Sequence, residues 1–199
     1  MLSPMGPEVA VTIVVGYLIG SIPIANLVAA RRAKVDLRDV GDRNPGFWNA
    51  REALGLRAAM PVFVGDTAKG VAAAAVGSVL ADPGVWGLAY VGCAAAMVGH
   101  AFPVFAHLRG GRSILTFAGG AAVFATVPFA ITIALIVATF LIRRSFAVAA
   151  RAGFVAFPIV QIIVEGPYRT AATGALMTFI GLRFAMAAVA DRRAVRRQA

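Results

Sequence analysis

From Val9 to Ala30 the chain runs for 22 residues without a charged side chain, enough for one helix to cross a hydrocarbon core of about 30 Å. Further apolar stretches follow at Ala58–Leu80, Gly84–His107, Ser113–Ile142, Phe146–Val164 and Thr170–Ala190. A chain that repeats such runs must bury them in lipid. Its backbone then has two choices, helices or a closed barrel, and runs this long and non-alternating predict helices. Composition agrees: 60% of residues are hydrophobic and 14% charged, where a soluble domain carries about 45–50% and about 25%. An ordinary soluble globule and a disordered chain are both excluded. So is a disulfide scaffold, because Cys93 is the single cysteine.

Ser113–Ile142 is too long for one span, at roughly 45 Å of helix. Pro128 near its midpoint predicts two helices that meet at Thr126–Pro128. This makes about seven transmembrane helices in an all-α, polytopic bundle, a single transmembrane domain over 1–199. The opening residues hold Glu8 and no Lys or Arg before Arg31, so the first run is expected to be a retained span and not a cleaved signal. Charge positions support the count. With seven spans the segments 31–57, 108–112, 143–151 and 191–199 share one side and carry 16 of the 19 Lys and Arg, while Arg169 stands alone on the other. Loops rich in Lys and Arg stay in the cytoplasm, which predicts an N-terminus outside and a C-terminus inside. The net charge of +10 is thus accounted for by topology and by contact with anionic membrane lipid. No nucleic-acid module lies between the spans, so no nucleic-acid partner is expected.

Three polar constellations interrupt the apolar pattern. The first is the loop after the first span, DLRDVGDRNPGFWN (Asp36–Asn49). Pro45 and Gly46 shape its turns, Asn44 and Asn49 offer amides, and Arg38, Arg43 and Arg51 bring positive charge. A solvated loop that obeys the charge rule would look much the same. The second, GHAFPVFAHLRGGRSILT (Gly99–Thr116), reads as a tight Gly110–Gly111 turn opening a helix. Free N–H groups there would favour a phosphate, with Arg109 and Arg112 able to close over it. The third is Asp66 and Lys69 inside the second span. A charge in the bilayer interior costs about 2.5–3.5 kcal/mol on insertion scales, so both should face the bundle, as a self-neutralising i, i+3 pair or as a substrate-binding pair. Gly16 and Gly20 suit close helix packing, which also explains Ser21 and Asn26. His100 is either a proton-transfer group or a buried, hydrogen-bonded histidine. His107 is expected at the membrane interface. One cysteine and two separated histidines make no metal site, and no cofactor is expected.

Together with YLIGSIP (Tyr17–Pro23) and DTAKG (Asp66–Gly70), these segments resemble, in order over roughly the first 120 residues, the bacterial acyl-phosphate:glycerol-3-phosphate acyltransferases. The most specific element is GH-x-FP-x-F…GGR. The resemblance implies a seven-span enzyme of the bacterial inner (plasma) membrane. It would transfer an acyl group from acyl phosphate to glycerol 3-phosphate, making lysophosphatidic acid for phospholipid biosynthesis. With the donors of the polar constellations, this reading assigns Arg38, Arg43, Asn44, Gly46, Asn49, Lys69, Arg109, Gly110, Gly111 and Arg112 to substrate binding. Against the family's first-loop motif Ser-Gly-Asn-x-Gly-x-Thr-Asn, the chain has Asp42 for serine, Arg43 for glycine and Trp48 for threonine. Arg109 and Arg112 stand for lysines, Ser113 for a glycine, and Phe184 follows Arg183 where a histidine is expected. Catalysis would then fall to Asp42, the acid in the motif, with His100 as the other candidate. The competing reading is a relative that binds or translocates a phosphorylated lipid or metabolite without acyl chemistry.

Overall fold

A computed structural model describes residues 6–198, apart from the side chains of 191 and 193–198. The charges of the C-terminal segment therefore lie largely outside the described residues. Among the described residues nine α-helices follow one another: α1 Pro7–Gly20, α2 Ile24–Ala33, α3 Phe47–Leu54, α4 Leu56–Leu80, α5 Gly87–Ala101, α6 Ile114–Phe124, α7 Thr126–Arg143, α8 Phe146–Glu165 and α9 Pro167–Gln198. Six segments are long and apolar enough to cross a membrane, with α1 and α2 together forming the first; α6 is a shorter apolar helix. The fourth apolar run, expected as two short helices, is α6 and α7, so the segments that answer to the expected spans are six long ones and the shorter α6.

Two of the apolar runs break where proline or a tight turn demands it. The first, read from the sequence as one continuous span, is interrupted at Ser21–Pro23, because Pro23 lacks the N–H that a continuing helix would use. The long fourth run breaks at Ala125, whose φ of −138° and ψ of 51° lie outside the helical region. Pro128 falls in the first turn of α7, where its missing donor costs nothing. Ile114 at the start of α6 and Phe146 just past α7 line the same cavity, so the run doubles back as expected.

The bundle centre is α1, α4, α5 and α6, packed through small residues. A methyl on Gly20 would land on the backbone of Ala96, one on Gly92 on the Ala73 carbonyl, and one on Gly119 on the Thr67 carbonyl. Helices in lipid associate largely by such close backbone approach. The buried stripe of α4 contains Ala59, Val62, Asp66, Lys69, Ala73 and Gly77, a spacing of three or four that puts the two charges on the packed face. Gly55, with φ of 82°, lets α3 turn directly into α4. Aromatic residues Tyr90, Phe117, Phe124 and Phe157 fill a second core under α9.

Candidate functional site

The first loop is built on a hydrophobic plug and an amide strap. Leu37 is fully buried against Ala25, Ala29, Ala50 and Val62. Asn49, buried at the start of α3, donates its Nδ2 group to the carbonyls of Leu37 (2.8 Å), Val40 (3.0 Å) and Asn44 (3.1 Å). Asn49 therefore shapes the loop from inside. Arg38 is likewise engaged: its guanidinium pairs with Asp36 and reaches the Ala106 carbonyl at 3.3 Å. That bond ties the loop to the short 3-10 turn Val104–Ala106 after α5. The hydrogen-bonded Arg38 holds the Asp36 carboxyl below its ordinary pKa, against the opposing pull of burial.

The Gly-Gly segment meets this loop directly. Arg112 Nη1 lies 2.9 Å from Asp42 Oδ2, and the other carboxylate oxygen of Asp42 accepts the Asn44 N–H at 3.2 Å. A methyl on Gly111 would sit 3.0 Å from the Pro45 carbonyl and press into His100 Nε2. The expected free N–H groups are not those of the glycines. Gly110 N–H donates to the Ala101 carbonyl and Gly111 N–H to the His100 carbonyl, each at 3.1 Å. The turn is thereby sealed onto the end of α5, and the helix it opens begins only at Ile114.

Behind the turn, Asp66, Lys69 and His100 form a buried cluster. Lys69 Nζ is 2.9 Å from Asp66 Oδ1 and 3.3 Å from His100 Nδ1, and His100 Nδ1 is 3.6 Å from Asp66 Oδ1. Asp66 and Lys69 are 2% and 4% exposed. Of the two alternatives for this pair, the self-neutralising i, i+3 bridge is present; both residues also line a cavity of about 20 Å³, room for about one water, with Ile22, Pro23, Arg109, Gly110 and Gly111.

Two larger cavities share one border. An arginine-rich one of about 350 Å³ is lined by Asp42, Arg43, Asn44, Gly110, Arg112 and Arg183 among others. An apolar one of about 380 Å³ runs along Phe47, Trp48, Phe63, Leu115, Phe146 and Phe184 and reaches Asp66 and His100. Asp42, Asn44 and Arg112 belong to both. Of the residues singled out in the sequence, Asp42, Arg43, Asn44, Gly46, Lys69, His100, Arg109, Gly110, Gly111 and Arg112 line one or more of the three cavities, whereas Arg38 and Asn49 line none of them.

Arg183 is the residue the sequence reading left out of the site. From α9 it donates to the carbonyls of Gly110 (3.2 Å) and Gly111 (3.3 Å) and lies 4.7 Å over the Phe102 ring. Arg112 in turn lies 4.6 Å over Phe184. A lone arginine in an apolar span was the available signal, since such a charge needs an interior partner.

The family described as glycerol-3-phosphate acyltransferase matches residues 10–196 of the chain. A glycerol-3-phosphate acyltransferase of Bacillus velezensis is 31% identical over 172 residues, covering 86% of this chain and 88% of that one. Glycerol-3-phosphate acyltransferase 3 of Dehalococcoides mccartyi is 37% identical over 123 residues, and the match spans 57% of each chain. In such relatives the chain matches little more than half of their length. Among solved structures, the crystal structure of PlsY, an integral membrane glycerol 3-phosphate acyltransferase in its glycerol 3-phosphate form, superposes with a TM-score of 0.76 at 23% identity, covering 96% of this chain and 91% of that one. That likeness extends to the fold.

Proposed function

Because the chain belongs to the glycerol-3-phosphate acyltransferase family, we propose that it moves an acyl group from acyl phosphate to a hydroxyl of glycerol 3-phosphate. The product is lysophosphatidic acid, formed at the cytoplasmic face of a bacterial plasma membrane. The observation that carries this reading is the junction at Asp42, Asn44 and Arg112 of two unlike cavities, one rich in guanidinium groups and the other in apolar rings. Two phosphates, one bearing a hydrocarbon tail, require those environments side by side. The phosphates gain charge-assisted hydrogen bonds and the tail leaves water. The solved PlsY structures, one in a glycerol 3-phosphate form and one in a lysophosphatidic acid form, support the same acceptor and product. The cytoplasmic assignment rests on the arginines that surround the site.

In the reaction the acceptor oxygen attacks the acyl carbonyl carbon. The bond from that carbon to the phosphate oxygen breaks, phosphate leaves with the electron pair, and the hydroxyl proton passes to a base. Arg43, Arg112 and Arg183 hold the phosphates. Asp42 is the proposed base, since a substrate phosphate competes for the guanidinium of Arg112 and releases the carboxylate beside the acceptor. His100, bonded to Lys69, is the alternative acceptor of the proton. The test is acyl transfer from acyl phosphate by purified protein in lipid. Asp42→Asn should lower the rate at least ~100-fold and leave glycerol 3-phosphate binding nearly intact. Activity that survives moves the role to His100.

A second reading, binding without transfer, draws on one observation: both carboxylate oxygens of Asp42 are already engaged, by Arg112 and by the Asn44 N–H. Phe184, whose ring can neither take up nor give a proton, stands where the family resemblance expects a histidine. Glycerol 3-phosphate binding without any acyl transfer by the unmutated protein would select this reading.

A further inference from the structure

The Arg112 guanidinium is held from two directions. Its Nη1 donates to Asp42 Oδ2 at 2.9 Å, and its central carbon lies 4.6 Å from the centroid of the Phe184 ring, over the ring face. Among the described residues the guanidinium makes no second hydrogen bond. One hydrogen bond to one carboxylate oxygen leaves the group free to turn about that bond, whereas a ring against its face fixes its plane. Asp42 therefore anchors the charge, and Phe184 sets how it is turned.

Phe184 is fixed in its turn by the residue before it. Arg183 donates to the carbonyls of Gly110 and Gly111 and lies 4.7 Å from the Phe102 centroid, which ties this part of α9 to the segment that carries Arg112. Asp42, Arg112 and Phe184 all line the apolar cavity, and Asp42 and Arg112 line the arginine-rich one as well. We infer that Phe184 is a positioning residue for a substrate phosphate: its ring holds the Arg112 guanidinium by one face, so that the in-plane N–H groups Asp42 does not use are presented to phosphate oxygens at the border of the two cavities.

The inference rests on the reading that this border takes a phosphate, and it deepens that reading by naming what orients the cation. A guanidinium carries its five donors in one plane, and bidentate contact with a phosphate is made along the edge of that plane. The ring takes the face, so ring and phosphate do not compete. The Arg112 side chain is 18% exposed, which places the contact between the open and the fully desolvated case, worth ~3–10-fold in binding.

The test is equilibrium binding by purified protein in detergent. Two ligands that undergo no transfer when added alone serve as probes: glycerol 3-phosphate, and the analogue of palmitoyl phosphate in which a methylene replaces the bridging oxygen. Phe184→Leu and Phe184→Met, apolar but without a ring, should each weaken at least one of them ~3–10-fold, and the ligand affected is the one whose phosphate Arg112 holds. Phe184→Tyr, which keeps the ring face, should stay within ~2-fold of the unmutated protein. In the transfer assay the Leu and Met variants should raise KM for that same substrate and leave kcat nearly unchanged, because the ring orients Arg112 alike before and during the reaction.

Unchanged affinity for both ligands in the Leu and Met variants overturns the inference and leaves the phosphate-binding reading standing. So does a Phe184→Tyr variant as weak as Phe184→Leu, or a fall in kcat at constant KM. Weakened binding in the Leu and Met variants of a protein that transfers no acyl group upholds the inference and sinks the transfer reading. An unmutated protein that binds neither ligand overturns both.

Discussion

Two ion pairs in this protein differ in what surrounds them, and their responses should differ accordingly. Asp66 and Lys69 are enclosed in the bundle with His100. Removing one partner of a buried pair leaves a charge without compensation, which costs about 3–5 kcal/mol, whereas removing both costs less. Lys69→Met should therefore unfold at a lower temperature in detergent than Asp66→Asn/Lys69→Met, and a double variant as unstable as the single one would contradict the bridge. Asp36 and Arg38 lie outside the spans. The folded Asp36 carboxyl is depressed from its ordinary 3.8 by the Arg38 hydrogen bond, so its contribution to stability is fully present above that value and fades as the pH falls through the depressed pKa. Acidification should lower the melting temperature of the unmutated protein more than that of Asp36→Asn. At this scale the sequence told which residues are charged, and the structure adds what they touch: Arg38 pairs with Asp36, and Asn49 donates to three loop carbonyls.

Among the elements, α4 and α6 approach most closely through glycine. A methyl on Gly70 would strike the Thr116 carbonyl, while one on Gly174 in α9 meets nothing within 4 Å. Gly70→Ala should then cost about 1–3 kcal/mol through forced helix separation, and Gly174→Ala should cost nothing measurable in the same unfolding assay. Equal losses at both positions would show that helix approach is not what Gly70 serves. The break of the 113–142 run was legible because Pro128 cannot sit inside a helix without consequence, although the break itself falls at Ala125, three residues before it. The interruption at Ser21–Pro23 is marked in the sequence by Pro23 alone. Uniform hydrophobicity over Val9–Ala30 hides it, because lipid and a packed bundle both accept apolar side chains.

For the whole molecule, the loops carrying most of the arginines meet at one end: Asp42 with Arg112, Arg38 with Ala106, Trp48 with Phe146, and Arg183 with the Gly110–Gly111 turn. Arg169, paired with Glu165 and lying 5.5 Å from the Trp86 ring, belongs to the other end. Reporters fused at Arg144 and after Ala199 should both read as cytoplasmic and one at Asp82 as external; an external reporter at Arg144 would reject the doubling back of α6 and α7. The sequence by itself determined that the chain dissolves in lipid, how many apolar segments it has, where the basic loops lie, and that Asp66 and Lys69 face inward. Each of these follows from transfer costs that are local to a residue or a run of residues. Only the tertiary structure decided that the N–H groups of Gly110 and Gly111 are closed off by α5, that Arg183 joins the site from α9, and that Trp48 meets Phe146. Such pairings depend on distances between segments far apart in the chain, and no local property of the residues encodes those distances.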